Sequence, residues 1–247
     1  DNRKFKTESF DKIFLCAGCI GTSEIIMRSK EIKSGPIMKD NFVATFPIIQ
    51  RGLNIKDDFS KCFAGANLFI NGELENDNRP LVHFSIYPFF DHIWKYYVPT
   101  KLWRLFNNAL AKFARCKIMI GRITLGGEFN RSYSLNLVND KFEIEKINNY
   151  KTRSYAKKAI KLLNKTLEKS DFFIPKSFPL LEHKTSSHYA CGFPYGDNTY
   201  LNVNKNGSID KNVYIADATC FSTSPALSPT FTIISNACRT AHLSLLD

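Results

Sequence analysis

The sequence predicts a mixed chain, α/β at its two ends and α+β in its middle. Three observations carry this reading. An apolar run, a Gly-containing turn and a helical stretch follow one another near the start, the unit from which parallel sheets are built. Six apolar runs separated by turn residues then occupy 42–147, the texture of an antiparallel sheet. After Pro179 the texture changes again, to a polar Gly/Pro-rich loop, a strand and a long helix.

Taken in order, residues 11–16 (DKIFLC) read as a short buried strand and 17–21 (AGCIG) as its turn. Thr22 reads as the cap of a helix of about two turns through EIIMRS. Strands are expected at 42–50, 62–70, 80–88, 116–126, 132–138 and 141–147, the last two forming a hairpin around Asn139-Asp140. Between the third and fourth lies a helical stretch, 89–114, aromatic and basic, which Pro99 breaks in two. It has two readings: a helix packed on the sheet, which is favoured, or one lying on an anionic membrane surface. A further helix over 151–169 carries Tyr155, Ala159, Leu162, Leu163 and Leu167 at helical spacing under a lysine-rich face. Residues 212–218 (NVYIADA) read as a strand. In Ser228-Pro229-Thr230, Ser reads as N-cap and Pro as first helical residue of a helix whose stripe is Phe231, Ile234, Ala237, Cys238 and Ala241.

Composition bounds the function classes. The chain has 247 residues, 44% apolar and 23% charged, so it is globular and can bury a sizeable core. Its net charge of +11 would suit an acidic partner, but the lysines are scattered and no nucleic-acid-binding motif is present. Nucleic acid is therefore not an expected partner. Seven cysteines at irregular spacing fit reduced thiols in a reducing, cytoplasmic compartment. Cys16 and Cys19 form a lone C-x-x-C without the further ligands that zinc needs, so both are expected in the core and no metal site is expected. No apolar run is long enough to cross a bilayer. The first segment reads as the middle of a domain, so residue 1 is expected to be an incomplete start.

Three local features could carry chemistry. His188 lies among small residues and glycines in SSHYACGFPYG, where backbone can approach a ligand and an imidazole can act as a base near neutral pH. A lone histidine is more often structural, so position alone leaves both readings open. The helix after Ser228 presents free N–H groups and a partial positive charge at its start, suited to a group that becomes anionic, although an ordinary capped helix looks the same. The turn 16–21 looks like a degraded G-x-G-x-x-G with Cys16 in the first glycine position. Asp40 stands at a ribose-contact distance downstream, but the segment after the helix does not read as the next strand of a βαβ unit.

Together and in this order, these pieces resemble the glucose–methanol–choline (GMC) family of flavin-dependent oxidoreductases. Residues Ile13 to Thr22 resemble that family's strand and A-G-x-x-G-T/S turn along the flavin. His188 to Gly196 match its H-x-x-G-T-x-x-x-G segment in length, with His188 on the catalytic histidine. Residues 213–218 resemble its L-x-V-x-D-A/G-S strand end, and Ser228-Pro229-Thr230 its N-P-T helix start. Two departures stand out. Ser228 replaces the usual Asn or His beside the catalytic histidine, and Cys191-Gly192 replace the usual Gly-Thr.

The resemblance implies the C-terminal part of an FAD-binding, Rossmann-like domain, 1–34 and 184–247, with an antiparallel-sheet substrate domain, 35–183, inserted. It implies FAD as cofactor, contacted by Ala17, Gly18, Thr22, Asp217, Ala218, Pro229 and Thr230. It also implies oxidation of an alcohol, with His188 taking the hydroxyl proton and Ser228 holding the substrate oxygen. A sugar or polyol is the first expected substrate and a hydrophobic alcohol such as a sterol the second. The family's opening G-x-G-x-x-G unit is not in this chain, so an N-terminal FAD-binding segment is the expected missing partner, and the chain alone should bind FAD weakly or not at all. The alternative is an inactive fragment or an interaction module that keeps the family's fold pieces.

Overall fold

A computed structural model describes residues 8–51, 68–72, 82–88, 117–126, 129, 131–147, 152–178, 180–184, 188–196 and 200–246. Strand β1 (Ile13–Leu15) leads through Ala17 into helix α1 (Gly18–Ser29). The helix begins four residues before Thr22, which therefore lies inside it and is not its cap. Gly18 makes the tight entry: its φ of +74° is left-handed backbone that costs glycine nothing. The helix ends at Lys30, where Glu31 turns left-handed (φ 55°) and the Ile32 N–H donates to the Met27 carbonyl.

The chain then runs through β2 (Ser34–Asp40) and β3 (Phe42–Gln50). After them come β4 (Leu68–Gly72), β5 (Val82–Tyr87), β6 (Ile118–Leu125), β7 (Arg131–Val138) and β8 (Lys141–Ile147). Helix α2 (Thr152–Leu167) and the short strands β9 (Phe172–Phe173) and β10 (Leu181–Glu182) follow. The chain closes with β11 (Ser208–Asp210), β12 (Val213–Ile215), a 3-10 turn (Ala218–Cys220) and helix α3 (Thr230–Ser244). The stretch 89–114, with its membrane reading, and the expected strand start at 62–67 lie outside the described residues.

Three sheets organise these elements. The largest runs β10-β3-β6-β5-β4, with β9 also on β3, and every pairing in it is antiparallel. Alternation sends Phe42, Ala44, Phe46 and Ile48 to one face with Ile123 and Leu125, against Ala156, Ala159, Ile160 and Leu163 of α2. This is the principal core. Gly121 sits under the Phe46 ring, where an added Cβ would meet the ring at 2.5 Å.

A second sheet runs β2-β7-β8. Its β7–β8 hairpin turns through Asn139 and Asp140 with φ of 48° and 59°, the doubly positive geometry that matches strand twist. Strand β2 is not expected from the sequence, because Gly35 and Pro36 interrupt it. It is an edge strand with a register break between Ser34 and Ile37, where a proline is tolerated.

The third sheet, β1-β12-β11, pairs β1 with β12 in parallel. Here the apolar stripe expected to bury α3 is largely uncovered. Phe231 is 84% and Ile234 53% exposed, and only Thr240 and Ser244 of that helix are buried. Ile13 and Phe14 on β1 are 44% and 40% exposed. The strand signal was sound; the apolar face has no covering layer among the described residues. Cys16 and Cys238 are likewise exposed, which corrects their expected burial, while Cys19 is buried and its thiol pushed up to about 12 by desolvation. Among the described residues no helix is long and apolar enough to cross a membrane.

Candidate active site

The parallel pairing of β1 with β12 places their C-terminal ends side by side, Leu15 opposite Ile215. The turn Ala17-Gly18 and the turn Asp217-Ala218 follow at that edge. Thr22 joins them: its hydroxyl accepts from the Ala17 N–H (3.1 Å) and donates to Asp217 Oδ2 (2.6 Å), while Asp217 Oδ1 accepts from the Thr219 N–H (2.8 Å). Thr22 and Asp217 are buried, so their side chains brace the two turns against each other. Ala17 and Gly18 are exposed, and the space above Gly18 is open.

The His188 segment docks onto the same edge. The Cys191 and Phe193 N–H groups donate to the Ala218 and Thr219 carbonyls, and Ala190 pairs with Lys39 in a bridge of two hydrogen bonds. Ala190, Cys191 and Ala218 form a small core on which Ile233 of α3 packs. The two family departures after His188 have a structural reading. Cys191 has φ +68°, a conformation that favours glycine, at the position where the family's glycine falls. At Gly192 an added Cβ would meet Ser23 Oγ at 2.2 Å, so the usual threonine does not fit.

Three residues that the sequence did not single out as site residues, or read otherwise, hold His188. Its backbone N–H donates to Asp40 Oδ1 (3.2 Å). Asp40 is fully buried, so the carboxylate weighed as a ribose contact serves the loop instead. Asn41, also fully buried, donates from Nδ2 to the Pro225 carbonyl (2.7 Å) and accepts at Oδ1 from Ser224 Oγ (2.5 Å). A carbonyl only accepts, so Pro225 fixes which end of the amide is NH2. That NH2 stands 3.5 Å from His188 Nδ1, the outer limit of a hydrogen bond. Ser224 Oγ also lies 3.3 Å from the His188 carbonyl.

Burial, and after it the Arg122 guanidinium, hold the imidazole below its ordinary 6.5, against an opposing pull from Asp40. His188 is therefore neutral at pH 7 and able to accept a proton. Ser228 is exposed and its hydroxyl faces Thr230 Oγ1 (3.4 Å), not His188. Pro229, not Ser228, stands at the start of α3 without a side-chain cap, and its carbonyl accepts the first helical bond, from Ile233. Among the described residues no group of three or more His, Cys, Asp or Glu side chains is placed to hold a metal ion.

The fold is shared with solved oxidoreductases. The chain is similar to pyridoxine 4-oxidase from Mesorbium loti, with a TM-score of 0.63 at 10% identity over 96% of this chain and 52% of that one. It is also similar to an FAD-dependent oxidoreductase from Chaetomium thermophilum, with a TM-score of 0.58 at 12% identity over 98% of this chain and 56% of that one. The chain thus spans about half the length of these structures. No family model and no curated protein matches the sequence.

Proposed function

We propose that this chain is the C-terminal half of an FAD-dependent oxidoreductase of the GMC type, oxidising a CH–OH group with His188 as the base. The observation that carries the reading is convergence. The turn at Gly18, the strand end at Asp217-Ala218, the His188 loop and the start of α3 are far apart in sequence and meet at one edge of the β1–β12 sheet.

The residues present fit a flavin. Gly18 leaves open space over the turn, and the first turn of α3, from Thr230, has N–H groups without a side-chain cap. Ala17, Gly18, Ala218, Pro229 and Thr230 would hold the cofactor. Thr22 and Asp217 would support those contacts from below, because their side chains are engaged with each other. When bound, the flavin supplies the hydride acceptor for the substrate carbon.

The protein's part is positioning and proton transfer. With the Asn41 amide facing Nδ1, the resting imidazole keeps its lone pair on that nitrogen, and a 3.5 Å contact is weak enough for an incoming proton to displace. The imidazolium that results is stabilised by the nearby Asp40 carboxylate. Ser228 in the present arrangement does not reach His188, so Asn41 and Ser224 take over the placing of the ring that the family's usual pair residue would share. The exposed stripe of α3 and the exposed faces of β1 are where the N-terminal FAD-binding segment would pack.

The test uses the full-length polypeptide carrying this chain, anaerobically, with pyridoxine and benzyl alcohol as probe alcohols. Wild type is expected to purify with flavin and to lose the flavin's visible absorbance on adding a substrate alcohol; His188→Ala is expected to keep the flavin and not bleach. A full-length protein that neither contains nor binds FAD would leave the inactive-module reading standing instead.

A further inference from the structure

The large sheet has a second face, and it is polar. Register places Thr45, Arg122, Ser85 and Phe69 in one row across β3, β6, β5 and β4, and Val43, Thr124, His83 and Asn71 in the next. Thr45, Ser85, His83 and Thr124 are all buried. Buried polar side chains need partners, and His83, Asn71 and Ser85 supply each other. His83 bonds Asn71 Oδ1 through Nδ1 (2.7 Å) and Ser85 Oγ through Nε2 (3.0 Å).

Arg122 is the exception. It stands at the centre of this face, partly buried, and its Nε is buried with no hydrogen-bond partner. No carboxylate pairs with it among the described residues. Arg131 also has buried guanidinium N–H groups without a hydrogen-bond partner, but it lies over the Phe42 ring and has a counter-charge, Glu182 at 2.8 Å. A guanidinium taken out of water without a counter-charge is costly, and its fork geometry matches carboxylate and phosphate. Its field is felt by His83, His183 and His188, each held neutral by burial and in part by Arg122. Among the residues of these two rows, Arg122 is the one side chain with a permanent charge.

The same face leads to the candidate catalytic histidine. Asn41, beside His188, immediately precedes β3, and about 13 Å of strand separates it from Thr45, the row partner of Arg122. A side chain as long as arginine spans a good part of that distance.

We propose that Arg122 is a specificity residue which binds an anionic group, carboxylate or phosphate, on the far end of an alcohol whose hydroxyl lies at His188. This rests on the oxidoreductase reading for what happens at His188, but the anion subsite is testable without flavin. The experiment titrates the full 247-residue chain, with 13C-labelled histidine, by NMR. Its ligands are 4-(hydroxymethyl)benzoate, 4-(hydroxymethyl)phenyl phosphate and neutral benzyl alcohol. At least one anionic ligand is expected to bind about tenfold or more tighter than benzyl alcohol, with the shifts falling on the His83 and His188 resonances. Which anion wins distinguishes carboxylate from phosphate. Arg122→Gln is expected to abolish the preference while leaving benzyl alcohol within about twofold, and Arg122→Lys to keep part of it. Lys146→Gln, a change on the exposed strand β8, should leave it intact. Equal affinity for charged and neutral ligands overturns the proposal, as does a preference that survives Arg122→Gln, which would assign it to the chain's general positive charge. If Arg122→Gln does not fold, the wild-type comparison and the identity of the shifted histidines still decide. Absence of flavin in the full-length protein would count against the redox reading and leave this result untouched.

Discussion

The six-stranded sheet and the β1–β12–β11 sheet treat apolar side chains in opposite ways. In the first, Phe42, Phe46, Ile48, Ile123 and Leu125 disappear against α2, and no partner beyond the chain is needed. In the second, Phe231, Ile234, Ile13 and Phe14 stay in solvent, and β1 is left as a parallel edge strand. Large apolar side chains in a row on one helix and the adjoining strand mark an interaction surface. One region is covered within the chain. The other has no covering layer among the described residues, and it is the one that gathers the recognisable motifs.

That contrast can be broken at several points. The largest expected effect is on chemistry: His188→Ala in the full-length enzyme should slow flavin reduction by about 10²–10⁴-fold at unchanged flavin content, measured by stopped-flow. Next comes the finished core. Phe46→Ala should cost about 3–5 kcal/mol in urea unfolding, because the ring packs edge-on to Phe84 and over Gly121. Gly192→Ala should cost about 1–3 kcal/mol, since the new methyl meets Ser23 and Thr219 in a packed joint.

A smaller effect is expected from acid. His83, His183 and His188 have folded values below their ordinary 6.5. Below that value the unfolded chain binds more protons than the folded one, so stability is fully present above about pH 6.5 and falls as pH drops beneath it. Urea midpoints at pH 7 and pH 5 measure this, and His188→Gln should flatten the slope. The smallest expected effect closes the comparison: Phe231→Ala in the 247-residue chain should change stability by within about 0.5 kcal/mol, because the residue is 84% exposed.

Legibility in the sequence followed the same division. Strands β3, β5 to β8 and helix α2 show in the alternation and spacing of their own residues; all but the exposed β8 also bury side chains within the chain. The start of α1 did not show. Thr22 looks like a cap, but the real entry uses the left-handed Gly18 and no side-chain cap. Strand β2 was hidden by Gly35 and Pro36, which only an irregular edge register admits. The motif residues were legible one by one, yet Thr22 and Asp217 turn out to brace each other, and Ser228 faces Thr230. Asn41 and Ser224 could not be found from sequence. They lie 147 residues before His188 and 36 after it, and long-range contacts such as the Lys39–Ala190 bridge and the Asn41–Ser224 hydrogen bond bring them together.

The most direct test of the central claim is the reactivity of Cys238, which is exposed on α3 beside the uncovered stripe. Iodoacetamide labelling, resolved by peptide mass spectrometry, should modify it readily in the 247-residue chain and at least about tenfold more slowly in the flavin-loaded full-length protein. Equal reactivity in the two would show that this face stays open to solvent in the intact molecule, and would contradict the reading of the chain as the closing half of a flavin site.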